Sequence, residues 1–345
     1  MTLSPAIRRW SLSAYGQQNL SLSSASPSDA WGRAPEGAEI RVRVEAVSLN
    51  YRDKLIVENG MGAALAFPFV PASDMAGTVE AAGPDATRFK PGDRVISTFF
   101  PSWIEGRAAG NALMPPYRAL GGAFPGVLAE QVTFPEDWFV AAPATLDAAE
   151  ASTLPCAGLT AWTALVETGA IKAGDRVLIK GTGGVGLFAL QIAKAHGAEV
   201  FLTTGSAEKG ERARALGADH ILPRENWVQP LLQASGDHGA DHVVDLVGGP
   251  TLAQSLQAVS VGGRISVIGV LEGFDLQASA GPLLMKSATI QGISVGHRRA
   301  LEDLVRAVDR IGLKPVIDAR YPFEAAQDAF AHLEHGPFGK VVITL

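Results

Sequence analysis

The clearest pattern near the start of the chain is Ile40-Arg41-Val42-Arg43-Val44-Glu45-Ala46-Val47, in which apolar and polar residues alternate. That period predicts a half-buried strand. Residues 77–83 predict a second short strand, and Phe89-Lys90-Pro91-Gly92-Asp93-Arg94-Val95 a turn feeding a third. Residues 101–126 carry many Pro, Gly and Ala with little period, which predicts a long loop. From about 158 to 297 the pattern changes. Strand candidates at 176–180, 199–203, 220–222, 242–246, 264–269 and 289–295 alternate with helical stretches such as 185–196 and 207–216. Gly197 and Gly217 follow those two helices as left-handed caps. Six strands in this alternation predict a doubly wound parallel sheet. A last amphipathic helix, about 299–311, leads to a tail ending in a strand at 340–344. No internal repeat is visible, and the only low-complexity piece is the Ser-rich stretch 21–28.

The strand Val177-Leu178-Ile179 runs into Gly181-Thr182-Gly183-Gly184-Val185-Gly186, which opens a helix with apolar Phe188, Leu190 and Ile192. A bare G-x-G-x-x-G is a weak signal, but between a strand and a helix it fits a dinucleotide cradle. Glycine permits the tight turn, lets backbone approach a pyrophosphate and packs helix on strand, while the helix start offers free N–H groups. Gly181, Gly183, Gly184 and Val185 are therefore candidate cofactor contacts. Enzymes that bind NAD usually carry an Asp or Glu at the end of the next strand. Here that strand ends Thr203-Thr204-Gly205-Ser206, with Lys209 one turn on and Arg224 after the third strand. A hydroxyl and cations suit a 2′-phosphate, so NADP(H) is expected, held by Ser206, Lys209 and Arg224. The alternative is that Ser206 only caps a helix and Lys209 is a solvated charge.

The 345 residues suffice for two domains, and the formal net charge of −6 argues against nucleic acid or an anionic membrane as main partner. No apolar run is long enough to span a bilayer, and residues 1–13 lack the apolar core of a secretory signal. The single cysteine, Cys156, excludes intrachain disulfides and a four-cysteine zinc lobe. A cytoplasmic location is expected.

With these residues placed, the chain resembles the medium-chain dehydrogenase/reductase superfamily, and within it the zinc-independent, quinone-oxidoreductase-like members. The resemblance runs through Val47-Ser48-Leu49-Asn50-Tyr51-Arg52-Asp53, Ser73-Asp74-Met75-Ala76-Gly77, Lys90-Pro91-Gly92-Asp93-Arg94-Val95, residues 154–162, the glycine turn and Phe338-Gly339-Lys340-Val341-Val342. It implies an α/β protein: a Rossmann doubly wound parallel sheet at 158–297, inserted into a partly open, GroES-like β-barrel catalytic domain at 1–157 and 298–345. It also implies a homodimer. In zinc-dependent members a cysteine, a histidine and a second cysteine hold the catalytic metal. The first two positions match Asn50 and Ser73 here and only the last is kept, as Cys156; no histidine precedes His196. His332 and His335 read as surface residues near a helix end. No zinc is expected.

Without a Lewis acid, hydride transfer favours acceptors that spread the incoming charge, such as quinones and α,β-unsaturated carbonyls. By the resemblance, Asn50 faces nicotinamide and substrate, and its amide is a candidate donor to an acceptor oxygen. Tyr51 is a candidate proton donor, against the alternative that it only packs. Arg52 stands where zinc enzymes keep a relay Ser or Thr, and Asp53 reads as a structural acceptor or a cation's partner. Thr160 is expected at the nicotinamide, Gly269, Val270 and Val295 at its carboxamide, and Lys340 at the cofactor phosphates or as a strand-end surface lysine. Cys156 reads as a small buried apolar residue, or one that touches substrate. Phe99, Phe100, Trp103 and Tyr117 are candidates to line an apolar pocket, or merely to cover the barrel. The expected activity is NADPH-dependent reduction of a quinone or enone. An alcohol dehydrogenase, an enoyl-thioester reductase and a non-enzymatic NADPH-binding protein stay open.

Overall fold

The computed structural model describes residues 6–27, 30–62, 64–114 and 117–345. The stretches 1–13, 21–28 and 101–126 discussed above lie partly outside them. The chain divides into two compact units, Met1–Cys156 with His297–Leu345, and Ala157–Gly296.

The first unit opens with β1 (Ile7–Leu12), β2 (Leu20–Ala25), β3 (Glu39–Leu49), α1 (Tyr51–Asn59), β4 (Asp74–Ala82), β5 (Arg94–Ser97), β6 (Gln131–Pro135), β7 (Phe139–Ala141) and α2 (Ala148–Ala151). The second unit holds α3 (Leu159–Trp162), β8 (Arg176–Lys180), α4 (Gly184–Ala195), β9 (Glu199–Thr204), α5 (Ala207–Ala215), β10 (His220–Pro223), α6 (Val228–Ala234), β11 (Ala240–Asp245), α7 (Leu252–Ala258), β12 (Val259–Val267), α8 (Ala280–Met285) and β13 (Thr289–Gly292). The chain then returns to the first unit with α9 (Arg298–Ile311), β14 (Ile317–Pro322), α10 (Ala326–Glu334) and β15 (Lys340–Thr344).

β3 organises the first unit. Ile40, Val42 and Val44 point inward and are buried, whereas Arg41 and Glu45 are half-buried and Arg43 is exposed. Each buried aliphatic side chain contributes about 1.5–3 kcal/mol. One edge of β3 pairs with β4, and the other is shared by β6 at its start and β15 at its end. The sheet runs β14-β15-β3-β4-β5-β7 with β6 on β3; its pairs are antiparallel except β14 with β15. No pairing joins β14 to β7 among the described residues, so the sheet stays open. The register Val341↔Leu49 brings the start of β15 beside the end of β3. That pairing places Lys340 next to Asn50, the residue before α1.

The second unit is a six-stranded parallel sheet in the order β10-β9-β8-β11-β12-β13. The order reverses direction between β8 and β11, and such switch points are where ligands bind at carboxyl ends of strands. Val177, Leu178 and Ile179 of β8 are fully buried, and α4 packs Leu187, Phe188, Leu190 and Ile192 inward. Gly197 and Gly217 take the left-handed conformation expected of them, with φ of 77° and 104°.

Several expected boundaries move. β12 starts at Val259 and ends at Val267, so Gly269 and Val270 lie beyond the strand. β13 ends at Gly292, and Val295 has φ 52°, which an extended strand cannot hold. The expectation that the helix near 299–311 is the last fails. α10 follows, burying Ala326, Ala329, Phe330 and Leu333 at helical spacing. No helix among the described residues is long and apolar enough to cross a membrane.

Candidate active site

In the second unit, the turn Gly181–Gly186 has the properties a pyrophosphate cradle requires. Gly181 has φ 119°, a region other residues rarely enter, and side-chain atoms added at Gly181 or Gly183 would meet nothing within 4 Å. The ligand-facing side of the turn is thus open. At Gly186 an added Cβ would lie 2.3 Å from the Gly181 carbonyl, so only glycine lets α4 sit this close. Gly181, Gly183, Gly184 and Val185 are half-buried, whereas the residues that follow are buried. Gly183 caps α4 without a side chain, so the first N–H groups of this twelve-residue helix have no partner within it.

Ser206 does cap α5: its Oγ accepts from Lys209 N at 3.2 Å. Its hydroxyl is already engaged, but the O–H remains able to donate. Lys209 is half-buried one turn on. Arg224 is 73% exposed, and its Cβ and Cδ would be 3.7 Å from a Cβ at Gly205. Ser206, Lys209 and Arg224 therefore gather at the end of β9. Glu272 stands 4.0 Å from Arg224. Thr160 is buried in α3. Gly269 packs on Leu246, whose carbonyl would be 1.8 Å from an added Cβ, and the Val270 carbonyl accepts from Gly273 N at 3.0 Å. Val295 is a buried β-branched residue at positive φ, a strain of about 1–3 kcal/mol that is typical of functional positions.

A network beneath the glycine turn was not foreseen. Lys180, the last residue of β8, donates to Asp245 Oδ2 at 2.9 Å and to Thr251 Oγ1 at 2.7 Å. The two charged side chains are 2% and 0% exposed. Burial pulls the Lys180 pKa down and Asp245 opposes it. Asp245 also accepts from Val247 N, Gly248 N and Ser255 Oγ, which fixes the loop after β11.

In the first unit, α1 starts at Tyr51 with Asn50 as its cap. Asp53 Oδ2 accepts from Asn50 N at 2.8 Å, and Asp53 Oδ1 stands 3.4 Å from Arg52 Nη1. Asp53 is fully buried, and burial pushes its pKa up to about 6, opposed mainly by Arg52. It is a structural acceptor and a cation's partner. Lys340 is not a surface lysine. It is 4% exposed, and its Nζ donates to Leu49 O at 2.7 Å and Asn50 Oδ1 at 2.6 Å. The reason is the β15–β3 register, which leaves no solvent at that position. With Oδ1 facing the ammonium, the amide's Nδ2 turns the other way. It is buried and makes no hydrogen bond of good geometry among the described residues. Its neighbour is Asp74, whose pKa is raised by burial and held down by Lys340, Ser73 and Asn50. Ser73 Oγ donates to Asp74 Oδ1 at 2.6 Å, and Cys156 N to Asp74 Oδ2 at 3.0 Å. Asp74, quoted above only within a motif, thus ties Ser73 and Cys156 together. Cys156 is half-buried, and burial, then the Asp74 charge, raises its thiol pKa well above the usual range. Tyr51 is 48% exposed, unlike Asn50 at 8%.

Phe99 and Phe100 are buried, and with Trp103 and Tyr117 they form one aromatic cluster. Tyr117 lines a cavity described below. His332 is partly buried, with Nδ1 2.9 Å from the Tyr321 hydroxyl and Nε2 3.2 Å from Asp318.

Two domain families match the two units. Residues 36–144 match the alcohol dehydrogenase GroES-like domain and residues 184–310 the zinc-binding dehydrogenase domain. A zinc-type alcohol dehydrogenase-like protein of Schizosaccharomyces pombe is 37% identical, over 89% of this chain and 91% of its own. The quinone oxidoreductase of Rattus norvegicus is 30% identical over 92% of each chain. The chain belongs to the medium-chain dehydrogenase/reductase superfamily. Among solved structures, a candidate alcohol dehydrogenase from Sinorhizobium meliloti 1021 is 60% identical with a TM-score of 0.95, covering 100% of both chains. An NAD-dependent alcohol dehydrogenase is 32% identical with a TM-score of 0.87, covering 98% and 99%. The chain is an NAD(P)H-dependent oxidoreductase built from a GroES-like domain and a Rossmann-type parallel sheet.

Membership raises the question of the superfamily's catalytic zinc. A catalytic zinc takes about three protein ligands. No group of three or more His, Cys, Asp or Glu side chains able to hold a metal ion occurs among the described residues. At the first of the three zinc positions stands an amide whose oxygen is 2.6 Å from an ammonium. A cation there repels Zn²⁺, and a neutral amide already accepting from an ammonium is a poor ligand for it. The residues present do not fit the metal.

Proposed function

We propose that this protein is a zinc-independent, NADPH-dependent reductase of conjugated acceptors, quinones or α,β-unsaturated carbonyls. The observation that carries the reading is the Lys340 ammonium on Asn50 Oδ1. It leaves a site with a fixed, cation-bound amide where a Lewis acid would need a free ligand. Such a site suits an acceptor that delocalises its own developing charge. Bound NADPH supplies the hydride. The acceptor's β-carbon accepts it, the conjugated electron pair collects on the carbonyl oxygen, and solvent or Tyr51 returns a proton. Lys340 at the oxygen and Asp74 beside the nitrogen fix the Asn50 amide next to Tyr51.

The preference for NADPH rests on Ser206, Lys209 and Arg224 around Gly205. They offer donors where an Asp or Glu would hold a ribose hydroxyl. The alcohol dehydrogenase reading draws on the solved relatives' descriptions; Arg52 in the relay position and Lys340 at Asn50 weigh against it. A homodimer is supported by the open edge of β13 and by Val261, Leu284 and Met285, all more than 70% exposed nearby. With no segment for membrane insertion in view, the proposed location is the cytoplasm.

NADPH oxidation with a small panel of quinones and enones tests the reading. Turnover with at least one conjugated acceptor supports it. NADPH binding with silence across the panel points to a binding protein or an unrelated substrate.

A further inference from the structure

Within the first unit lies a cavity of about 540 Å³ that the reaction above does not use. Its walls are apolar, with Ile56, Leu65, Phe69 and Phe124 among them, and no acidic side chain lines it among the described residues. One charged side chain does. Arg52 is 9% exposed, lies over the Phe99 and Tyr117 rings at 5.1 and 5.9 Å, and touches the wall at Gly122, where an added Cβ would be 2.4 Å from Nη2. Its partners fall short of its capacity. A guanidinium has five N–H donors. Here Nη2 reaches Gly121 O at 3.2 Å, Nη1 reaches Asp53 at a long 3.4 Å, and Nε is buried with no partner. Asp53 is itself shared with Asn50 N. Tyr117, on the same wall, has its hydroxyl pKa pushed up to about 12 by burial, against the charge of Arg52 and a hydrogen bond from it, so the phenol stays neutral and its oxygen is one more acceptor for the guanidinium, while Nε still has none.

An under-bonded buried cation at the edge of an otherwise apolar cavity is an unfavourable arrangement unless something supplies oxygen. We propose that Arg52 determines specificity: the cavity takes the apolar body of a small molecule and Arg52 binds a carboxylate on it. Resting on the reductase reading, this makes the preferred acceptors conjugated carbonyl compounds that also carry an acid group. Arg52 occupies the place of the zinc enzymes' relay residue, so recognition replaces proton relay at that position.

Binding and turnover test the two readings separately. Calorimetry without NADPH compares 3-phenylpropanoate with its neutral amide, 3-phenylpropanamide. The wild type is expected to bind the carboxylate about tenfold or more tightly than the amide. Arg52→Met should abolish that preference and Arg52→Lys should keep part of it, since Lys retains the charge but not the planar fork. Equal binding of acid and amide by the wild type overturns the assignment without any variant, and so does a preference that survives in Arg52→Met. Turnover then compares 4-phenylbut-3-en-2-one with its para-carboxylate. Arg52→Met should raise KM for the carboxylate acceptor about tenfold more than for the neutral one. Arg52-dependent carboxylate binding with neither enone reduced sinks the enone-reductase reading and leaves Arg52 standing. Reduction of both enones without discrimination does the reverse.

Discussion

Replacing Lys340 by methionine removes the charge on which the site's geometry depends. The side chain is nearly sealed from solvent and donates to two acceptors, Leu49 O and Asn50 Oδ1. Losing it leaves both buried acceptors unmet, at about 1–3 kcal/mol each. It also removes the cation that holds Asp74 down, and to a lesser degree Asp53. Breaking a buried charge arrangement from one side typically costs about 3–5 kcal/mol. For a unit of roughly 200 residues, each kcal/mol moves Tm by about 2–4 °C. Calorimetry of the variant should therefore show the transition of the first unit about 6–20 °C lower. Turnover should fall with it, because the Asn50 amide is then no longer fixed next to Tyr51. Both carboxylate pKa values should rise further, so the acid limb of the pH–rate profile should move to higher pH. A shift below about 2 °C with unchanged turnover would refute the reasoning, since it would mean that Lys340 neither bears on Asn50 nor neutralises the acids.

Three other outcomes follow from the same structure. Lys180→Met strands Asp245 without its cation and should destabilise the second unit by about 3–5 kcal/mol, measured by its melting transition. Adding Asp245→Asn should recover part of the loss. Ser206→Asp keeps a good helix cap but sets a carboxylate at the end of β9; kcat/KM for NADPH should fall about tenfold or more relative to NADH. Asp53 is bound to its proton more tightly folded, at about 6, than unfolded, at 3.8. Its contribution is therefore full below pH about 4 and is lost as pH rises through 6, a swing on the order of 3 kcal/mol. The Tm of the wild type minus that of Asp53→Asn should rise on acidification from pH 7 to 4, and a flat difference would count against it.

Local periodicity made much of this fold legible. β8 and β15 lie where their apolar runs put them, and the glycine turn could be read because its strand and helix flank it directly. What stayed hidden depends on register between distant strands. Lys340 meets Asn50 only because Val341 pairs with Leu49 across 292 residues of chain. Lys180 meets Asp245 because Ile179 pairs with Val244. Neither pairing leaves a trace in a short window. β13 ends at Gly292, and the positive φ at Val295, which its side chain does not announce, rules out an extended strand as far as that residue. α10 was findable from the spacing of Ala326, Ala329, Phe330 and Leu333, but with two alanines among its four buried positions its apolar signal is weak. The zinc question was half legible. The missing ligands are plain in the sequence, while the ammonium in their place required the fold.

The most direct test of the central claim is NADPH oxidation by chelator-treated protein, verified free of zinc, with 4-phenylbut-3-en-2-one set against its saturated ketone, 4-phenylbutan-2-one. The account predicts reduction of the enone at undiminished rate after chelation and little or none of the saturated ketone. Activity that appears only when stoichiometric zinc is restored, or reduction of the saturated ketone as fast as the enone, would contradict it.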